Sequence, residues 1–255
     1  MTSSLALHAL PGIPMVQPGD DLAALIEAAL ARAGLALQGG DVLVLAQKIV
    51  SKAEGRIVNI PDVVASAQAV ELAGTVQKDP RVIQVILDQS VRVVRARPNL
   101  LIVEHRRGWV MANAGIDHSN VAAQDGTERV LLLPEDPDAS AEALRARLAP
   151  AVNGPLGIVI SDSFGRAWRR GTAGIAIGAA GLPALVDLRG NPDLFGRILE
   201  VSISGFADEI AAAASLLQGQ GAEGQPVILV RGLAWSQPAM GASHLVRPAQ
   251  EDLFR

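Results

Sequence analysis

The sequence predicts an α+β protein of mixed sheets with flanking helices. Short apolar runs rich in β-branched residues recur along the 255 residues, as buried strands do. Between some of them lie helix-like runs that open on acidic residues, which favour the positive end of a helix. The two kinds follow one another irregularly, unlike the strict alternation of a doubly wound sheet.

The elements can be justified in chain order. "DDLAALIEAALARAG" (20–34) carries an Asp at its start, apolar residues at helical spacing and a Gly that stops it. "VLVLA" (Val42–Ala46) is a strand, and "AQKIVSKAEGR" (46–56) follows it directly. "DPRVIQVILDQ" (79–89) is a short helix, "NLLIVE" (99–104) and "VLLL" (130–133) are strands, and "DPDASAEALRARL" (136–148) is a helix. "GIVIS" (157–161) is a buried strand and the alternating "EVSISGF" (200–206) a half-exposed one. "ADEIAAAASLL" (207–217) is a helix whose Asp208 and Glu209 suit a capping role, and "VILVR" (Val227–Arg231) is a last strand. Breaks at "LPEDPDA" (133–139) and "APAVNGPLG" (149–157) mark subdomain seams within one domain spanning 1–255.

Composition narrows the function classes. At 49% hydrophobic residues the chain can fill a sizeable core, and a formal charge of -4 argues against nucleic acid as a partner. With no Cys, thiolate metal sites and Cys nucleophiles are excluded. No basic leader opens the chain and no run of about 18 apolar residues suggests a membrane span. A cytoplasmic protein is expected. Tyr is absent and aromatics make up 3%, so few rings can stack on a flat ligand.

Polar chemistry concentrates in a few places. "ANAGIDHSN" (112–120) places Asp117 and His118 in a turn. "SDSFGRAWRRGTAGIAIGAAG" (161–181) puts Asp162 and Ser163 at the end of the strand "GIVIS". Carboxylate and hydroxyl oxygens suit a hard cation such as Mg²⁺ or Mn²⁺ shared with a phosphate. If the two turns converge, Asp117 and Asp162 hold that cation together; His118 is read as a solvent-facing turn residue. Arg166, Arg169 and Arg170 offer forks for phosphate or carboxylate, or else form a solvated basic face. The glycines through "GTAGIAIGAAG" favour function over a plain turn. Lys48 and Lys52 stand four residues apart, one face of a helical turn, and suit a polyphosphate as well as an ordinary surface helix. "GQGAEG" (219–224) fits G-x-G-x-x-G but precedes a strand, so it is no Rossmann turn, although its amides can still wrap a ligand. "DLRGNPDLFGR" (187–197) is either an active-site loop or a connection.

Taken in order, "LPGIPMVQPGDDL", "GDVLVLAQKIVSKAEGR", "ANAGIDHSNV", "SDSFGRAWRRGTAGIAIG", "DLRGNPDLFGR" and "ADEIAAAASLLQGQGAEGQPVILVRGL" resemble the coenzyme F420-0:L-glutamate ligases over nearly the whole chain. The resemblance implies an acid–amino-acid ligase, in its stand-alone form without the nitroreductase-like domain of some members. It implies that GTP activates the terminal carboxylate of coenzyme F420-0 and that L-glutamate is then coupled to it, with further γ-linked glutamates possible. Mg²⁺ or Mn²⁺, two ions per site, K⁺, a homodimer and a family-specific fold of two intertwined subdomains are also implied. Position by position, Asp117 and Asp162 match ligands of a first metal, and Ser163 and Gln220 those of a second. Ile13, Pro14, Met15, Val16, Gln47, Lys48, Lys52 and Asn120 match GTP-binding positions. So do Gln218, Gly219, Gln220, Gly221, Ala222, Glu223, Gly224 and Gln225. Asp117, Asp162 and Lys52 are the expected catalytic residues. Two departures stand out: Gln220 replaces a carboxylate expected in some relatives, and Ser163 replaces a Thr. Alternatives from other classes are a metal-dependent nucleotide phosphohydrolase and a non-catalytic nucleotide-binding module.

Overall fold

The computed structural model describes residues 4–117 and 126–252, so His118 and Asn120 lie outside the described residues. In chain order the elements are β1 (Ala6–Ala9), α1 (Leu22–Ala33), β2 (Val42–Ala46), α2 (Gln47–Ala53), β3 (Ile57–Asn59) and α3 (Ala67–Val76). There follow α4 (Pro80–Asp88), β4 (Ser90–Arg97), β5 (Leu100–His105), β6 (Val110–Ala112), β7 (Arg129–Leu131) and α5 (Pro137–Leu148). The last are β8 (Gly157–Gly165), β9 (Thr172–Ala180), β10 (Val186–Asp187), β11 (Ile203–Ser204), α6 (Phe206–Gln218) and β12 (Val227–Arg231).

The main sheet runs β1-β12-β2-β8-β9, with β2 and β8 parallel and the other pairs antiparallel. Its central strands are apolar throughout because both faces are covered. Leu43, Leu45, Ile158, Ile160 and Leu229 pack with α1 and α5 on one face. Val42, Val44, Val159 and Ile228 pack with α6 on the other. Each such buried aliphatic contributes about 1.5–3 kcal/mol. Between α2 and α5 the chain leaves the sheet and builds a lobe with its own core. There Val76, Ile83 and Ile86 of α3 and α4 meet Leu101 and Val103 of the sheet β4-β5-β6. The α+β class is therefore observed, with the sheet core interrupted by an inserted lobe. Among the described residues no helix is long and apolar enough to cross a membrane.

Three expectations need correction. Asp162 and Ser163 are inside a strand, since β8 continues to Gly165 and pairs with β9 down to Gly165–Thr172. Polar and glycine residues disguised this arm as loop. Of 200–206 only Ile203 and Ser204 are strand, because β10 offers just two residues to pair with. Asp208 and Glu209 do not cap α6, whose N-cap is Gly205 and which has no side-chain cap. Instead Asp208 Oδ1 accepts the N–H of Ala176 at 2.8 Å, and Glu209 accepts the Ser204 hydroxyl at 2.8 Å. Ala176 needs that partner where a bulge shifts the β8–β9 register, the partners stepping from Gly178 to Ala176.

The glycines of 171–181 also have a structural reason. A Cβ on Gly174 would lie 2.5 Å from the Ala211 carbonyl oxygen of α6, and one on Gly178 2.4 Å from the Pro137 carbonyl oxygen of α5. Two helices pack against β9 there at backbone distance, so the glycines serve packing.

His105 closes the inserted lobe at the β5–β6 turn. It is buried, stacks on Trp109 at 5.1 Å, and its Nδ1 accepts the Arg107 N–H at 3.1 Å. Burial, with the charges of Arg106, Arg107 and Arg56, pushes its pKa down to about 4. The folded ring is thus neutral, while the unfolded one takes a proton below about 6.5. Between those values the unfolded chain binds more protons, so stability is full above 6.5 and falls with pH until about 4. The gap corresponds to about 3 kcal/mol. Urea midpoints at pH 7 and pH 4.5 should separate more in the wild type than in His105→Gln. An equal separation in both would remove His105 from the acid response.

Candidate active site

The site begins where β2 runs straight into α2 at Gln47. Gln47 is turned inward and accepts the buried Ser51 hydroxyl at 2.8 Å, which fixes the first turn of the helix. That leaves Lys48 and Lys52 on the other side, one turn apart. Lys48 Nζ lies 2.6 Å from Asp117 Oδ2. Burial lowers the pKa of Lys52, and the neighbouring Lys48 lowers it further, while Asp117 opposes both.

Asp117 is delivered by a left-handed turn. Asn113, Ala114 and Gly115 have φ of 53°, 54° and 70° in succession. Asn and Gly accept this conformation readily, whereas Ala114 costs about 1–2 kcal/mol there. The turn is held by the burial of Ala114 and by Lys78 Nζ, which donates to Asn113 Oδ1 at 2.9 Å. Asp117 then exchanges backbone hydrogen bonds with Leu131, at 3.0 and 2.9 Å.

Asp162 arrives from the strand beside β2, the pair Ala46–Ser161 setting the register. Strand alternation gives Asp162 the face of Ile158, Ile160 and Phe164, and turns Ser163 to the other, with Val159 and α6. Burial pushes the Asp162 carboxyl up to about 6, against the Ser163 N–H and Lys48 and with added repulsion from Asp117. Lys48, Lys52, Asp117 and Asp162 thus form one electrostatic cluster.

The donor chemistry fits a divalent cation. Two carboxylates face each other's field, and the Lys48 ammonium already supplies a positive charge to one of them. Among the described residues no three His, Asp or Glu side chains gather; hydroxyl, amide, water and phosphate oxygens are the other donors that a hard cation takes.

On the α6 side, the Ser161 hydroxyl lies 3.3 Å from both the Leu45 carbonyl and Gln218 Oε1. Gln218 Nε2 is buried with no hydrogen-bond partner among the described residues. A buried amide donor left in this way calls for an acceptor. Gly219, with φ 72°, then starts the exposed loop 219–225, in which Glu223 Oε2 accepts the Gly221 N–H at 2.8 Å. Hydrogen bonds from loop amides hold the Glu223 carboxyl below its usual range. A carboxylate therefore sits in the nest of N–H groups that a phosphate would use. Gln220 lies exposed in the same loop.

Of the other expected positions, Ile13 packs on the core and Val16 is buried, leaving Pro14 and Met15 at the surface. Arg32 holds the start of that segment through the carbonyls of Pro11 (3.3 Å) and Gly12 (2.8 Å). Arg166, Arg169 and Arg170 lie exposed at the β8–β9 tip. The stretch 187–197 forms an exposed arm in which Asp187 pairs with Arg189 at 2.6 Å. Sequence reasoning missed Lys78, whose support of Asn113 has no local signal, and Ser161. The Asn-x-Gly of the turn did hint at left-handed backbone.

Fold and site define an α+β protein with an ammonium–carboxylate cluster at the end of two parallel central strands. The chain belongs to the F420-0:gamma-glutamyl ligase family, whose model matches residues 12–232. It is 42% identical over 253 residues to the coenzyme F420:L-glutamate ligase of Methanothermobacter thermautotrophicus, covering 98% of this chain and 99% of that protein. The protein of the same name from Methanopyrus kandleri is 42% identical over 256 residues, 99% of this chain and 98% of its own. That of Archaeoglobus fulgidus is 41% identical over 244 residues, 96% and 94% respectively.

Proposed function

We propose that this chain couples L-glutamate to coenzyme F420-0 at the expense of GTP, releasing GDP and phosphate. The observation that carries the reading is the cluster of Lys48, Lys52, Asp117 and Asp162, set in a chain of this family. Lys48 and Lys52 bring positive charge to the triphosphate, and the Gln218 amide and the loop 219–225 supply N–H donors to its oxygens or its base. The precursor's carboxylate oxygen attacks the γ-phosphorus as the bond to the β-phosphate oxygen breaks, giving an acyl phosphate and GDP. The glutamate amine then attacks the acyl carbon; a C–N bond forms, phosphate leaves and the amine proton passes to solvent. Asp117 and Asp162 would hold Mg²⁺ or Mn²⁺, and Ser163 and Gln220 a second ion. Such ions neutralise charge on phosphoryl oxygens when bound. The rest of the work falls to positioning by side chains fixed on α2 and β8.

Acceptor dependence tests this directly. Over many turnovers, GDP should accumulate only when both F420-0 and L-glutamate are present. GTP hydrolysis without them would instead favour a phosphohydrolase, and binding without any phosphate release a non-catalytic module.

We further propose a homodimer built through the arm 186–204. Leu194 and Phe195 are 99% and 96% exposed there, and Ile198, Val201 and Ile203 are exposed with them. Large apolar side chains exposed together on one arm suit an association surface. Leu194→Glu combined with Phe195→Glu should sediment as a monomer where the wild type sediments as a dimer; an unchanged coefficient would place the interface elsewhere.

A further inference from the structure

The proposed chemistry leaves the tip of the β8–β9 arm without a task. Trp168 stands there 82% exposed, whereas Trp109 is buried and Trp235 half-buried. Its φ is 58°, in the left-handed region that bulky residues seldom enter. Strain of this kind is kept where the surrounding chain fixes it, often at ligand sites. Arg166, Arg169 and Arg170 lie within two positions of it in sequence, all exposed and none in a salt bridge among the described residues. No acidic residue occurs between Asp162 and Asp187, so nothing local in sequence neutralises them. An indole flanked by guanidinium groups is a platform for a flat ring that carries negative charge.

The arm also sets a distance. From Asp162 the strand continues three residues to Gly165 before the tip. At about 3.3 Å per residue, plus the turn, Trp168 lies about 10–15 Å from Asp162. From these observations we infer that Trp168, with Arg166, Arg169 and Arg170, is the docking platform for the aromatic, anionic part of the carboxylate substrate. The arm would then hold the ring about one arm's length from the carboxylate being activated at Asp162. This rests on the ligase reading above, which supplies F420-0, a deazaflavin acid, as the occupant. It gives a chain with so few aromatics an exposed ring, Trp168, with which to recognise a flat substrate.

Two measurements test it. In steady state, Trp168→Ala should raise KM for F420-0 about tenfold while KM for GTP and for L-glutamate stay within about twofold, and Trp168→Phe should recover most of the loss. Arg169→Gln with Arg170→Gln should raise the same KM and weaken its dependence on salt. In the second measurement, F420-0 without GTP or glutamate should quench tryptophan emission of the wild type and fail to do so in Trp168→Phe. That titration needs no turnover. A wild type that binds F420-0 at Trp168 but makes no product would therefore overturn the ligase reading and leave the platform standing. An unchanged KM in Trp168→Ala, or quenching that survives Trp168→Phe, overturns the platform. So does a shift of Trp168→Ala to a lower oligomer, which would make the tip a subunit contact.

Discussion

Asp162→Asn is expected to abolish GDP release driven by F420-0 and L-glutamate, with turnover falling on the order of 10³-fold or more. The amide keeps the size and one oxygen of the carboxylate, so the β8–β9 ladder should survive and the thermal midpoint should stay near the wild-type value. What is removed is the charge that, on the proposed reading, Asp162 and Asp117 together offer to a cation. Burial already disfavours the Asp162 charge, as its raised pKa shows. The neutral amide should therefore fold at least as well, and loss of activity with retained stability is the expected signature. Normal turnover by the variant would remove Asp162 from the metal-binding role.

The second large effect is on stability. Gly181→Ala is expected to cost about 4 kcal/mol. Gly181 has φ 74°, and an added Cβ would lie 2.1 Å from the Leu156 carbonyl oxygen. The left-handed backbone accounts for about 1 kcal/mol and the backbone overlap for about 3 kcal/mol. Gly190→Ala isolates the first part, since Gly190 has φ 84° with nothing within 4 Å of its Cβ position. Urea unfolding of the two variants should thus differ by about 3 kcal/mol. Equal losses would mean that the connection into β8 yields, and that close packing at the end of β9 is not what the glycine serves.

Much of this architecture was legible in the sequence. The central strands β2, β8 and β12 announce themselves because burial on both faces leaves an unbroken apolar run. Helix α1 shows its Asp21 cap and its Gly34 stop in sequence as it does in space. What escaped is what long-range contact decides. β9 is so rich in glycine that it reads as a ligand loop, and only the helices packed on it explain the pattern. The polar end of β8 reads as a turn because ladder pairing with Thr172 and Ala173 leaves no trace in composition. At the site, the spacing of Lys48 and Lys52 predicted a shared face and the helix provides it. The nearness of Asp117 to Lys48 could not be read from residues so far apart; it depends on the inserted lobe returning its left-handed turn to the sheet. The division of Asp162 and Ser163 between two faces follows from alternation alone, once the strand is known to reach that far.

One consequence follows from the parallel pairing of β2 with β8. Lys48 and Lys52 stand on α2, which continues β2 directly, and Asp162 follows the Ala46–Ser161 pair on β8, so their meeting is decided when those strands zip together. A slip of one position would swing the acid through the sheet to the far side and strand the lysines. Partial misassembly therefore has no half-active form to offer. In a refolding experiment, recovered turnover should count the molecules whose central strands have found their correct alignment.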